Sequence, residues 1–273
     1  MDASPTLPLS LLLTVLLVQL PLMLVVPLLL GRWLRRRFDV GWAVFGVGAA
    51  TFVASQVVHL PLNWAVGLLG PPRALGLLPL PALAAAAGLS AGLCEEVARF
   101  AALRFVYRRA RGYHAALQFG AGHGGVEAMI LGALVALTLV NMLVLRYLPA
   151  SMLRLSADQS WQAGAAAATF WATPWYMSLL AGLERVFAIT SHVLFTVLVM
   201  RTVTRGQPAW LLLAIVAHAA LDAVAVWSAR TLGAVATEGI VGAWAVAALV
   251  LVILMREPRP APAPAPPGAA ATP

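Results

Sequence analysis

Long apolar runs separated by short polar segments dominate the chain. Runs of about 20 apolar residues, enough for a helix to cross the hydrocarbon core of a bilayer, recur at about 8–31, 41–67, 81–106, 115–145, 175–200, 209–228 and 235–255. The pattern predicts an all-α polytopic membrane protein with about seven transmembrane helices, called spans one to seven here. A basic GRWLRRR segment directly follows the first run, so we interpret that run as a retained helix and not as a cleaved signal.

The composition agrees with a membrane protein and excludes several functional classes. The 273 residues are 62% hydrophobic and only 10% charged, whereas a soluble domain carries roughly a quarter charged residues. The net charge of +8 therefore indicates charged cytoplasmic loops and not a nucleic-acid surface. The chain contains no lysine, which excludes Schiff-base chemistry, and its single cysteine, Cys94, excludes an intrachain disulfide.

The arginines outside the spans predict the orientation of the helices. Most of them fall on one side of the predicted membrane: Arg32, Arg35, Arg36, Arg37, Arg108, Arg109, Arg111, Arg201, Arg205, Arg256 and Arg259. The other side holds only Arg73, Arg146, Arg154 and Arg230. Because basic loops concentrate on the cytoplasmic side, we expect a multi-pass protein of a bacterial cell membrane with its N-terminus outside and its C-terminus in the cytoplasm.

The placement of polar residues divides the chain into four predicted regions. Residues 1–80 hold two N-terminal helices, and residues 81–228 hold a four-helix core made of spans three to six. Residues 229–256 form a C-terminal transmembrane helix. Residues 257–273 are rich in proline and alanine, which is typical of a disordered tail, here on the cytoplasmic side.

Ionisable residues interrupt four of the apolar runs at a similar depth. Such groups are costly inside a bilayer and commonly mark functional sites. Counted from the cytoplasmic end of each span, four of them lie about 8 to 10 residues in, which is roughly 12–15 Å at 1.5 Å per residue. The sequence therefore predicts one polar layer shared by spans three to six. Its candidate members are Glu95, Glu96, Arg99, His123, Glu127, Glu184, Arg185, His192, His218 and Asp222.

The residue types of this layer favour hydrolysis of a peptide bond within the membrane. A carboxylate beside a histidine can activate water, and the i,i+4 pair His218 and Asp222 can stabilise a developing oxyanion. No HExxH motif occurs, and Asp222 is the one aspartate deep within a span, so an aspartyl dyad is not available. For single residues a structural role stays open. Arg99 could form an ion pair, and His59 and His114, near span ends, are expected to be packing residues.

Three short motifs, in order, resemble those of a known superfamily. EEVAR (95–99), FGAGH (119–123) and HAALD (218–222) are similar to the EExxxR, FxxxH and HxxxN/D motifs of the CAAX protease and bacteriocin-processing (Abi) superfamily. GAGHGGVEA and ERVFAITSH resemble its YhfC branch in particular. The resemblance covers roughly residues 81–228. In the first motif the arginine comes one residue early, which leaves its partner open.

The resemblance implies an intramembrane endopeptidase that uses water activated by glutamate and histidine. Glu95 with His123 would activate water, and Glu96 with Arg99 would support them. His218 and Asp222 would form the oxyanion site. A second set is implied in substrate binding or support: Phe119, Glu127, Glu184, Arg185 and His192. The expected partners are the lipid bilayer and a membrane-embedded or membrane-associated peptide substrate, with no nucleic acid.

Two alternatives to this mechanism stay open. The family has also been described as metalloproteases, and Glu95 with His123, His192 and His218 could supply a zinc site. We prefer a mechanism without a cofactor, because adjacent glutamates and HxxxD already provide a base and oxyanion donors. The alternative from another class is a proton-coupled transporter or a non-catalytic membrane scaffold. A transporter is less favoured because the polar groups form one layer and not a path across the membrane.

Overall fold

The computed structural model describes residues 8–109, 111–148 and 150–257. Within these residues, seven helices are long and apolar enough to cross a membrane, and each predicted span falls on one of them. They are α1 (Leu9–Phe38), α2 (Trp42–Ala65), α3 (Leu80–Val106), α4 (Tyr113–Tyr147), α5 (Trp175–Arg205), α6 (Ala209–Thr231) and α7 (Ala234–Leu254). A further helix, Ala157–Ala172, connects α4 and α5. The all-α polytopic class is therefore confirmed.

Two of the predicted regions extend beyond the residues that the structure describes. The first seven residues and the predicted tail from residue 258 onward lie outside the described residues. The division of the chain into a four-helix core and flanking helices stays a prediction, because α2 packs as closely against α4 as the core helices pack against each other.

Glycines let α4 approach its two neighbours to backbone distance. Gly48 of α2 lies against the Phe119 carbonyl of α4 and leaves no room for a Cβ there. On the opposite face, a Cβ at Gly120 would lie 2.7 Å from the Val193 Cα of α5, and one at Gly124 would lie 2.9 Å from His192 Cδ2. Small residues are what allows helices to pack tightly in lipid, where no hydrophobic force drives them together. The glycines therefore hold α4 between α2 and α5.

The paired glutamates lie on a helix that packs directly on the helix of His218. A Cβ at Gly92 of α3 would lie 2.7 Å from the Ile215 carbonyl oxygen of α6. Further along the same face, Gly88 leaves no room for a Cβ against Ala219. The residues three and four positions after Gly92 are Glu95 and Glu96, so this close contact sets their distance from α6.

The ends of three helices meet where the sequence predicts the cytoplasmic side. The Tyr113 hydroxyl, at the start of α4, donates to the Val252 carbonyl near the end of α7, 2.8 Å away. Arg201, near the end of α5, donates to the Met255 carbonyl at 3.1 Å. These contacts place the arginine-rich ends of α5 and α7 together. Which side of a membrane they face stays a prediction.

Candidate functional site

Four helices bring imidazole and charged side chains into one buried layer. Glu95, Glu96 and Arg99 come from α3, His123 and Glu127 from α4, Glu184, Arg185 and His192 from α5, and His218 and Asp222 from α6. Glu96, Arg99 and His123 are fully buried, while Glu95, His192 and His218 are each less than a tenth exposed. The predicted residues that share a depth in the sequence are thus close together in the structure.

Glu96 is surrounded by positive and donor groups. The Arg99 guanidinium contacts both of its carboxylate oxygens, as an i,i+3 pair within α3. His218 Nδ1 lies 2.8 Å from Glu96 Oε1. Both partners of Glu96 are themselves buried, so this carboxylate is held as an ionic group inside the bundle. A buried charge needs such pairing and hydrogen bonding to be tolerated.

His192 links this group to a second carboxylate. Arg99 Nη2 lies 3.1 Å from His192 Nδ1, and a guanidinium can only donate. The proton of the His192 ring is therefore on Nε2, which donates to Glu127 Oε2 at 2.7 Å. Arg185 donates to the other oxygen of Glu127 at 2.8 Å and also contacts Glu184. The residues of the predicted supporting set on α5 are thus directly joined to the core motifs.

Glu95 has a different set of partners from its neighbour in the chain. His123 Nε2 lies 3.1 Å from Glu95 Oε2, which brings the predicted pair together. The other oxygen, Oε1, accepts from Gln56 Nε2 of α2 at 3.2 Å. The second ring nitrogen of His123, Nδ1, is buried with no partner among the described residues. Glu95 is therefore contacted by an amide and an imidazole, and not by a guanidinium.

Two predicted residues hold less central positions than the sequence suggests. His218 Nε2 and Asp222 Oδ2 are 3.6 Å apart, longer than a hydrogen bond, and the Asp222 side chain is 38% exposed. His218 makes its short contact with Glu96 instead, because packing of α3 on α6 places Glu96 nearer. Phe119 is fully buried in the apolar core beside the layer.

Sequence reasoning missed three residues that touch the layer. Gln56 contacts Glu95 as described, the Phe52 ring meets the His123 ring edge-on at 5.4 Å, and Phe195 stacks on His218 at 4.8 Å. Gln56 has a signal in the sequence: it is the first of three amide or imidazole residues spaced i, i+3 and i+7 in the second span, whose other polar residues are Thr51 and Ser55. The two phenylalanines have none, since an aromatic residue in a membrane helix is ordinary.

A small cavity opens among these side chains. Its volume is about 100 Å³, and its lining includes Glu95, Glu127, His192, His218 and Asp222. A water molecule occupies about 30 Å³ of liquid volume, so the cavity has room for water beside the carboxylates of Glu95, Glu127 and Asp222. The arrangement can thus place water next to proton-accepting groups within the bundle.

Three side chains of the layer form a potential metal-binding group. Ligand atoms of Glu95, His123 and His192 all lie within 4.8 Å of one another, and all three residues are buried. Two imidazoles and a carboxylate are a donor set that zinc binds in catalytic sites. His218, which the sequence analysis included among the alternative zinc ligands, is not in this group, because its Nδ1 faces Glu96.

Comparison with known proteins identifies the family. A relative described as "Uncharacterized membrane protein YhfC", from Bacillus subtilis (strain 168), is 29% identical over 197 residues, which cover 71% of this chain and 76% of the relative. No solved structure matches the chain. The model of a family described as YhfC intramembrane metalloprotease matches residues 22–244. The resemblance to the YhfC branch is confirmed, and placement in the wider CAAX protease superfamily stays a prediction. This chain belongs to the YhfC intramembrane metalloprotease family.

Proposed function

We propose that the protein is a zinc-dependent intramembrane peptidase whose metal ligands are Glu95, His123 and His192. The observation that carries the proposal is the buried group of three donors within 4.8 Å of one another. The description of the family supports the zinc mechanism over the cofactor-free glutamate mechanism that the sequence analysis preferred. The expectation of no cofactor is thus not supported.

The charges and unsatisfied groups of the layer also fit a metal ion. The Arg99 guanidinium is directed at Glu96, and Glu95 is contacted by the uncharged amide of Gln56 and by His123. A divalent cation among the three donors would balance the negative charge of Glu95. The nitrogen of His123 that lies near Glu95 is Nε2, 3.1 Å from Glu95 Oε2, and it is the atom that His123 would offer to the ion. The other nitrogen, Nδ1, is buried and has no partner among the described residues. His192 would offer Nδ1, the ring nitrogen that carries no proton, and would exchange its Arg99 contact for the metal.

A zinc ion bound there would supply Lewis-acid chemistry, polarising a carbonyl and acidifying water. The side chains of the protein would orient the metal ligands and donate hydrogen bonds to the substrate. Glu127, which accepts from His192 Nε2, would keep the His192 ring in its orientation. Glu127 lines the cavity, and because Arg185 donates to its Oε1 and His192 to its Oε2, it would act as a positioning residue. His218 lines the same cavity. Its Nδ1 donates to Glu96, so with both ring nitrogens protonated its Nε2 would donate to the oxygen or nitrogen of the cleaved bond.

The substrate class follows from the burial of the layer. Glu95, His123 and His192 lie within three helices of membrane-spanning length, away from the helix ends. A peptide bond must therefore enter the bundle at membrane depth to meet them. We propose a membrane-embedded peptide as the substrate.

The test measures metal and cleavage on the same preparations. The purified protein should contain equimolar zinc by elemental mass spectrometry. It should cleave synthetic single-span peptides in liposomes, lose this activity to a chelator and regain it with zinc. Glu95→Gln and His123→Ala should lose zinc and activity together. His114→Gln is the matched control, because His114 stacks on Phe38 away from the layer, and it should keep both.

Other outcomes would decide between the alternatives. Cleavage by zinc-free protein that is abolished in Glu95→Gln would overturn the zinc proposal and support the glutamate mechanism. Bound zinc without cleavage of any peptide would leave a non-catalytic scaffold. Proton flux across the liposomes without cleavage would identify a transporter.

A further inference from the structure

A line of polar side chains reaches Glu95 from α2, outside the four helices of the layer. Gln56, His59 and Asn63 share one face of α2, at spacings of three and four residues. Gln56 Nε2 is 3.2 Å from Glu95 Oε1, His59 Nδ1 is 3.2 Å from Gln56 Oε1, and Asn63 Nδ2 is 2.9 Å from His59 Nε2. Ser90 of α3 donates to Asn63 Oδ1 at 2.6 Å. Four hydrogen bonds thus form one continuous line.

The orientation of the Gln56 amide is fixed by a neighbour on its own helix. The Ser55 hydroxyl donates its proton to the Phe52 carbonyl at 2.7 Å, so towards Gln56 it can only accept. Gln56 Nε2 lies 3.2 Å from Ser55 Oγ. The two N–H groups of the amide therefore point at Ser55 and at Glu95, and the amide oxygen points at His59.

This orientation determines the direction of every remaining bond. The Gln56 oxygen can only accept, so His59 must carry a proton on Nδ1 and donate it. In the neutral ring, Nε2 then accepts, and the Asn63 amide donates to it. The oxygen of the same amide accepts from Ser90. All four donors point the same way, from Ser90 towards the Glu95 carboxylate.

We infer that Ser90, Asn63, His59 and Gln56 form a one-way hydrogen-bond chain that orients and stabilises the ionised Glu95 carboxylate for metal binding. Hydrogen bonds in a row polarise one another, by about 10–30% per bond, so the last bond onto Glu95 is strengthened by those behind it. The chain does not carry protons, because an amide cannot pass a proton on and keep its tautomer. The inference rests on the proposed zinc site, in which Glu95 is a ligand. Gln56, His59, Asn63 and Ser90 are positioning residues.

The competing explanation is that these polar residues only join α2 to α3. Interhelical hydrogen bonds do stabilise membrane bundles, and Asn63 with Ser90 is such a bond. Joining two helices does not require four bonds that share one direction and end on a candidate ligand. It also does not require that loss of a bond changes metal affinity. Zinc affinity therefore separates the two explanations.

The experiment measures zinc affinity by competition with a chelator of known affinity on the purified full chain. Gln56→Met, which keeps the shape of the side chain without its polar atoms, should weaken zinc binding by about 10- to 100-fold, the usual effect of losing a hydrogen-bond partner of a metal ligand. His59→Phe should weaken it less and Asn63→Leu less again, in order of distance from Glu95. His59→Gln should recover affinity relative to His59→Phe, because an amide can both donate and accept. Val57→Ala, on the exposed face of α2, is the control and should bind as the parent does.

Two results would overturn the inference. One is unchanged zinc affinity in Gln56→Met and His59→Phe, with only the thermal stability reduced. The other comes from the unmodified protein, by nitrogen-15 NMR of labelled histidine: a His59 ring protonated on Nε2 would reverse the chain. A parent protein that binds no zinc would instead overturn the proposed function, so the two failures are distinguishable.

Discussion

Glu95 and Glu96 are adjacent in the chain but lie in opposite halves of the polar layer. Glu96 contacts the Arg99 guanidinium and His218, and it has no solvent exposure. Glu95 contacts His123 and the neutral amide of Gln56, and it lines the cavity. Successive residues on a helix point about 100° apart, so one helix directs two carboxylates to two environments.

The difference separates a structural carboxylate from a reactive one. Glu96 has its charge neutralised within α3 and its hydrogen-bonding capacity used by Arg99 and His218, which suits it to hold these two side chains in place. Glu95 keeps a charge that a neutral amide and an imidazole do not cancel, which suits it to attract a cation. Identical side chains in adjacent positions are thus expected to fail in different assays when they are changed.

The largest effect expected is on cleavage in Glu95→Gln. The amide keeps the shape and can still hydrogen-bond, but it is a poor metal ligand and takes up no proton at neutral pH. Cleavage of the liposome peptides should fall by at least about 100-fold, the lower end of what one positioned catalytic group contributes. The free energy of unfolding of the metal-free forms, measured in mixed micelles, should differ by less than about 1 kcal/mol, since Glu95 has no guanidinium partner to lose. A variant that cleaves normally but fails to accumulate would assign Glu95 to the structural half of the layer.

For Arg99→Met, in contrast to Glu95→Gln, we expect a large loss of folding stability. Removing the guanidinium leaves the buried Glu96 carboxylate with His218 as its remaining partner, and loss of one member of a buried ion pair destabilises proteins by about 3–5 kcal/mol. The free energy of unfolding measured in mixed micelles should fall by this amount. Arg36→Met, at an exposed position, is the control for loss of an arginine. If Arg99→Met were as stable as the parent protein, Glu96 would not be a structural carboxylate and would not differ from Glu95 in this way.

A smaller effect, the coupling energy between Arg99 and Glu96, tests the structural role of this pair directly. Combining Arg99→Met with Glu96→Met removes both charges, and replacing a buried ion pair by apolar groups is often neutral for stability. The double variant should therefore be more stable than Arg99→Met alone, with a coupling energy of about 0.5–3 kcal/mol in the cycle. Purely additive losses would show that Arg99 acts mainly through His192 and not through Glu96.

The smallest effect is expected for Asp222→Asn. Its carboxylate is 3.6 Å from His218 and 38% exposed, so it adds little to the hydrogen bond that His218 makes with Glu96. The value of kcat/KM should fall by less than about tenfold, the equivalent of one neutral hydrogen bond. A loss as large as that of Glu95→Gln would restore the His218–Asp222 pair to the central role that the sequence predicts.

The sequence predicted the helices and the depth of the layer, but not the contacts within it. Apolar length alone locates the spans, because a helix must satisfy its backbone in lipid. Contacts between helices depend on how each helix is rotated, and a turn of a few tens of degrees decides whether His218 of α6 reaches Glu96 of α3. Gln56 was overlooked and His59 was expected to be a packing residue, because the sequence analysis concentrated on ionisable groups in spans three to six. The polar stripe on α2 is visible in the sequence, whereas its connection to Glu95 requires the packed structure.

The glycine contact between α4 and α5 has a consequence for genetics. A methyl group at Gly124 would lie 2.9 Å from His192 Cδ2 and 3.0 Å from the Ile189 Cα. Alanine there would therefore displace a proposed ligand without touching metal or substrate. In a random-mutagenesis screen for inactive alleles, Gly120 and Gly124 should score as strongly as histidines, in a stripe with a four-residue period along α4. A map of such alleles would outline the helix contact as well as the chemistry.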